Sequence, residues 1–185
     1  PDSLGCLALL DQPGIYSIQG NHEQMCSAAL HNRPLGMFNW ISNGGNWFYE
    51  LSAEAQQQVR EYWLPKIEEL PLAIDLFTAE QLHIGICQAD PVFNDWQELL
   101  TALDTYQAQQ RETLIEKLLW SRERISSATK SGFRSGTYEI NGLDWCIMGH
   151  TPIRPTPFRK GNCIWIDSGA VFPNGYLSVL EVGRE

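Results

Sequence analysis

The spacing of apolar positions changes several times along the chain, and each change marks an element. Leu4, Leu7, Leu9 and Leu10 behind Asp2-Ser3 fit a capped helix that Gln12-Pro13-Gly14 closes. Residues 15–18 form a short β-branched and aromatic run, the pattern of a buried strand, and the run stops at Gly20. Residues 24–30 suit a helix, His31-Asn32-Arg33-Pro34 breaks it, and 35–41 suit a second short helix. Asn43-Gly44-Gly45-Asn46 is a turn that leads into Trp47-Phe48-Tyr49. From Ser52 to Leu70 a long helical stretch places Val59, Trp63, Ile67 and Leu70 on one face, with Pro65 expected to kink or split it.

The second half alternates differently. Residues 72–77 and 82–87 read as a hairpin around Thr78-Ala79-Glu80-Gln81, and the second strand runs out into Gln88-Ala89-Asp90-Pro91. Residues 95–103 and 106–119 read as helices, rich enough in Gln, Glu and Lys to be largely exposed. Residues 126–136 read as a polar loop. A strand at 143–148 ends in Gly149-His150-Thr151-Pro152, Pro155-Thr156-Pro157 is a rigid loop, and a strand at 163–166 ends in Asp167-Ser168-Gly169. A Pro173-Asn174-Gly175 turn is expected to return 176–182 as a closing antiparallel strand. The fold predicted is a layered α/β protein, one domain over 1–185, with two mixed sheets face to face and helices outside.

Composition narrows the partners. The net charge of -9 disfavours nonspecific binding to a nucleic-acid backbone. No apolar run approaches the roughly 20 residues of a membrane span, and no stretch reads as a signal peptide. The 5 cysteines are odd in number, lie mostly in apolar runs and never form CxxC, which favours reduced core thiols and a cytoplasmic location. The chain begins at Pro1, so a piece of a longer chain is one expectation. Oligomeric state is left open.

Candidate chemistry lies at the strand ends. Asn21-His22, Gln88, His150 and Asp167 each follow a predicted strand, where ligands bind in open α/β sheets. Each has a plainer reading. Asn21 could cap a helix with His22 and Glu23 in its first turn, Gln88 and Asp167 could be turn residues, and His150 a loop histidine. His83 in mid-strand reads as structural, and His31 as exposed.

Taken in order, Gly20-Asn21-His22-Glu23, Gly149-His150-Thr151-Pro152 and Asp167-Ser168-Gly169-Ala170-Val171-Phe172 resemble three successive signatures of the calcineurin-like metallophosphoesterases. Gln24-Met25, Asn43-Gly44-Gly45-Asn46-Trp47-Phe48 and Trp120-Ser121-Arg122-Glu123-Arg124-Ile125 are similar to the subgroup of serine/threonine protein phosphatases from bacteriophage lambda and bacteria. The resemblance covers essentially the whole chain. It implies an α-β-β-α sandwich and two divalent metal ions, manganese foremost and iron or zinc otherwise. It also implies in-line attack of a metal-bound hydroxide on a phosphoprotein or small phosphoester, phosphotyrosine included. Asn21 and His150 would ligate one metal, His22 would protonate the leaving alkoxide, and Arg122 would hold the phosphate, with Arg124 as a structural ion-pair alternative.

Three departures qualify it. The family's two early aspartate motifs are absent, so the expectation is an N-terminally truncated domain with at most one well-formed metal site and little activity by itself. Gln88 stands where relatives carry a metal-binding histidine, and a neutral carbonyl is a weaker ligand. Gln19 stands where close relatives carry a phosphate-binding arginine. Two other readings follow: a non-catalytic phosphatase-like binding protein, favoured by Gln19 and Gln88, and a dinucleoside polyphosphate hydrolase, disfavoured by the subgroup segments.

Overall fold

The computed structural model describes residues 2–130 and 138–183, which fall into two compact units, Pro1–Pro71 and Leu72–Glu185.

The first unit is helical. Helix α1 (Ser3–Ala8) is capped by Asp2, whose carboxylate accepts the Gly5 N–H at 2.8 Å, and a 3-10 turn at Leu9–Asp11 follows. Helix α2 (Asn21–Leu30) buries Met25, Cys26, Ala29 and Leu30, and α3 (Gly36–Ser42) buries Trp40. Gly45 opens a 3-10 segment, Gly45–Glu50, flat against the Trp40 ring, where a Cβ would lie only 2.5 Å away. The stretch expected from Ser52 to Leu70 splits into α4 (Ala53–Gln58), a π-turn (Val59–Trp63) and α5 (Leu64–Glu68). Pro65 has no N–H to give, and just before it the Leu64 N–H bonds Val59 O, five residues back. Val59, Trp63 and Ile67 keep the buried face predicted for them.

Residues 15–18 are not a strand. They are extended, with Ile15 44% and Tyr16 84% exposed, and the neighbouring Gln19 N–H bonds Pro71 O at 2.8 Å. An apolar extended run becomes a strand only where a neighbour completes its ladder, and no described residue does so here.

The second unit is built on a mixed sheet in the order β1-β2-β3-β5-β4. Strands β1 (Ala73–Phe77) and β2 (His83–Cys87) form the predicted hairpin. Strand β3 (Trp145–Met148) pairs parallel to β2, and β5 (Cys163–Trp165) parallel to β3. The edge strand β4 (Phe158–Lys160) was not legible in the sequence: three residues behind two prolines carry no alternation to read. Among the described residues the strands form this one sheet.

Helices α6 (Trp96–Thr105), α7 (Ala108–Trp120) and α8 (Glu123–Thr129) accompany it. The first two are less exposed than expected: Trp96, Leu99 and Ala102 of α6, and Leu114 and Leu118 of α7, join Cys146, Cys163 and Trp165 in one core. An amphipathic helix needs few apolar positions to bury a stripe, and its polar residues cover the rest. Helix α8 corrects the loop expected from 126. Ile125 and Ala128, three apart, anchor it, and the Thr129 hydroxyl closes back on Ile125 O at 2.9 Å. Residues 131–136 of that expected loop lie outside the described residues. Residues 176–182 are also not a strand. Leu177 and Val179 stand 80% and 87% exposed, and the segment is held instead by Ser178 Oγ on Ser168 Oγ at 2.8 Å.

Candidate active site

In the first unit Asn21 and His22 occupy the first turn of α2. Gly20, not Asn21, is the N-cap, and the Glu23 carboxylate reaches back to accept the Gly20 N–H at 2.9 Å. The capping reading of Asn21 therefore fails. Asn21 is the first residue of the helix itself, 5% exposed, while His22 beside it is open to solvent. Gln19 is committed to the fold. Its N–H reaches Pro71 O at 2.8 Å, and its side-chain amide donates to Ile67 O at 3.4 Å.

In the second unit the three expected strand exits share one edge. Cys87 pairs with Met148, and Met148 with Trp165, in parallel register. The ladder runs one step further, with the Gly149 N–H on Gln88 O and the Ile166 N–H on Met148 O, each at 2.9 Å. Gln88, His150 and Asp167 thus leave the C-terminal ends of adjacent strands. Only His150 of the three has a left-handed backbone, at φ 66°. For a residue with a Cβ that conformation costs about 1 kcal/mol or more. The Trp120 ring meets the His150 ring edge to face, centroids 5.9 Å apart. Asp167 is a turn residue by its bonds, with its carboxylate accepting the Gly169 N–H at 2.8 Å and its carbonyl the Ile153 N–H at 3.1 Å.

The two motif arginines separate cleanly. Arg124 is withdrawn from solvent and bonds Asp90 at 3.4 Å, Asn94 Oδ1 at 3.0 Å and Phe93 O at 3.2 Å. Arg122, two residues earlier at the N-cap of α8, is exposed. It lines an open depression with Ser126, Ser127, Lys130 and Glu123. Arg124 is tied to the segment after β2, and Arg122 is turned to solvent. Sequence reasoning missed Asp90 as the anchor of that arrangement, and Trp120 as the neighbour of His150. The available signal was Asp90-Pro91 just past the predicted strand end, a carboxylate in the same chain as the motif arginines.

His31 and His83 are structural. His31, exposed as expected, bonds Glu68 at 2.7 Å, and His83 bonds Asp75 at 2.5 Å while stacking on Phe77. Among the described residues no three His, Cys, Asp or Glu side chains are grouped to hold a metal ion. In the second unit the imidazole of His150 and the amide oxygen of Gln88 are of a donor type that suits a divalent cation, and in the first unit so is the amide oxygen of Asn21. Being neutral, they lack the carboxylates that two cations call for. No helix among the described residues is long and apolar enough to cross a membrane.

No protein-family profile matches the chain. It is similar to serine/threonine-protein phosphatase 1 of Salmonella typhimurium (strain LT2), 35% identical over 182 residues, covering 98% of this chain and 73% of that protein. Serine/threonine-protein phosphatase 2 of Escherichia coli K12 is 30% identical over 183 residues, covering 98% of this chain and 74% of its own. The Salmonella typhimurium phosphatase 2 is 29% identical over 181 residues, with shares of 98% and 73%. Similarity of this extent runs through both units, and with it the ordered motifs at α2, α8 and the strand ends acquire a common origin: the chain belongs to the bacterial serine/threonine-protein phosphatase family.

Proposed function

We propose that the complete protein is a metal-dependent phosphomonoester hydrolase acting on phosphoserine and phosphothreonine in proteins, with phosphotyrosine as a further substrate. The observation that carries this reading is the common edge of β2, β3 and β5, from which Gln88 and His150 emerge in a chain of this family. The finer architecture of the reading is the α-β-β-α sandwich, and the location is cytoplasmic, in keeping with buried free thiols at Cys26, Cys87, Cys146 and Cys163.

In this reading Asn21 and His150 ligate the same cation, with Gln88 a weaker third donor. The chemistry a pair of divalent cations supplies is activation of water and neutralisation of the phosphate oxygens, with manganese the first choice and iron or zinc the alternatives. The chain's own residues do the rest. Arg122 offers two parallel N–H donors to the phosphate oxygens. His22 gives its proton to the serine or threonine oxygen as the ester bond breaks, because an alkoxide is too basic to depart at neutral pH. Turnover of a phosphoserine peptide and of p-nitrophenyl phosphate by the complete protein tests the reading. Both should require added manganese, and both should fall at least about tenfold in Arg122→Ala.

A non-catalytic phosphatase-like protein that binds phosphoproteins or other partners is the second reading. The engagement of Gln19 with Pro71 and Ile67 favours it, since that position holds the fold rather than a phosphate. Metal-independent binding of a phosphopeptide without turnover would select it.

A further inference from the structure

The depression beside Arg122 is lined along one face of α8. Arg122, Ser126 and Lys130 follow each other at four-residue intervals, with Glu123 and Ser127 alongside. Arg122 is the N-cap of α8 and Lys130 its C-cap, with Ser126 in the helix between them, so the two cations flank the helix and line the same depression. Arg122 and Lys130 are both exposed, and neither makes an ion pair among the described residues. Ser127 is turned aside, its hydroxyl bonded to Tyr138 at 2.8 Å. Glu123 adjoins Arg122, so the Lys130 end is the more cationic one. In a chain of net charge -9, this depression carries two cations against the one carboxylate of Glu123. At physiological salt such local charge outweighs the distant field, because screening acts within roughly 8 Å.

We infer that this face selects substrates: with the phosphate at Arg122, Lys130 receives an acidic side chain three or four positions from the phosphorylated residue. The spacing follows from chain geometry. Arg122 and Lys130 are eight residues apart, roughly 12 Å along a helix at 1.5 Å per residue. An extended peptide covers that span in three or four residues at about 3.3 Å each. Ser126, between the two, is placed to meet the peptide backbone. Lys130 is here a specificity-determining residue, and the inference rests on the phosphatase reading above.

The test uses the complete protein with manganese and three phosphoserine peptides. One is neutral, one carries aspartates three and four positions before the phosphoserine, and one carries them after it. One of the two acidic peptides should exceed the neutral one in kcat/KM by about threefold, the scale of an exposed charge pair, with the difference in KM. The excess should fade as salt is raised, drop to about one in Lys130→Ala, persist in Lys130→Arg and invert in Lys130→Glu. Affinity for a non-hydrolysable phosphonate version of each peptide, read by fluorescence anisotropy, should rank the same way. No acidic preference, or one that survives Lys130→Ala, overturns the inference. Turnover of all three peptides that is indifferent to Arg122→Ala would instead overturn the phosphatase reading beneath it.

Discussion

The Arg124 guanidinium stands 3.4 Å from the Asp90 carboxylate, with their side chains only 10% and 7% exposed. Breaking a buried pair strands the remaining charge, so Arg124→Ala should destabilise the protein by about 3 kcal/mol, measured by urea denaturation. Arg122→Ala, two residues away and exposed, should change stability by less than about 0.5 kcal/mol while lowering turnover. Equal stability losses in the two variants would mean the division of labour between the arginines is wrong.

The thiols give a second prediction. Burial pushes Cys26 and Cys163 up to about 12, and Cys146 is raised as well, by its bond to Cys87 and by burial. A thiol held protonated and covered does not alkylate. Iodoacetamide at pH 8 should therefore modify exposed Cys6 quickly and the other four only on unfolding, as read by intact mass. Rapid labelling of a second cysteine in the native protein would refute this.

Glu68 carries a pH prediction. Its carboxyl is lowered from 4.5, first by the Ser27 hydroxyl at 2.5 Å and, against some desolvation, by His31 at 2.7 Å. A carboxylate depressed in the folded state contributes stability above its ordinary value and loses it as pH falls through the lowered one. The Tm difference between the native chain and Glu68→Gln should accordingly be largest above about pH 5 and shrink on acidification. A difference constant from pH 3 to 6 would place the effect of Glu68 elsewhere.

Much of this was legible because local chemistry and tertiary role agreed. Asp2, Ser52 and Asp95 cap helices as their side chains suggest, each accepting a backbone N–H three residues on. The β1–β2 hairpin and the strand ends at Gln88, His150 and Asp167 followed from short apolar runs with polar exits. Where the reading failed, the deciding partner lay outside the segment. Residues 15–18 and 176–182 have strand composition and no ladder to join among the described residues, so their exposure could not be read from their own sequence. Helix α8 depends on burying Ile125 and Ala128, and nothing in the polar run from 126 announces that contact. At the candidate site, the resemblance of the Trp120–Ile125 segment singled out Arg122 and Arg124 as a pair. Only the position of Asp90 told them apart.

The proton donor can be separated from the phosphate anchor by the choice of leaving group. His22→Asn should cut turnover of an alkyl phosphate by about 10²–10⁴ and that of p-nitrophenyl phosphate far less, since p-nitrophenolate departs without a proton. Arg122→Ala should slow both and raise KM for both. Equal losses on the two substrates in His22→Asn, with metal content unchanged, would remove His22 from the proton-donor role.

The ligand set predicts how the 185-residue chain behaves by itself. With neutral donors for one cation, it should show no robust manganese-dependent turnover of p-nitrophenyl phosphate. Restoring histidine by Gln88→His should tighten its hold on manganese, because imidazole is the stronger ligand. Vigorous turnover by this chain would contradict the donor count.

The central claim is that Asn21 and His150 hold one cation in a working phosphatase, and a manganese titration by calorimetry on the complete protein tests it most directly. The native protein, Asn21→Ala, His150→Ala and the double variant form a cycle. Ligands of one ion are coupled, so each single variant should weaken or abolish the same binding step, and the double variant should lose little more than either single one. Independent, additive losses in two different binding steps, or binding untouched by either change, would contradict the account.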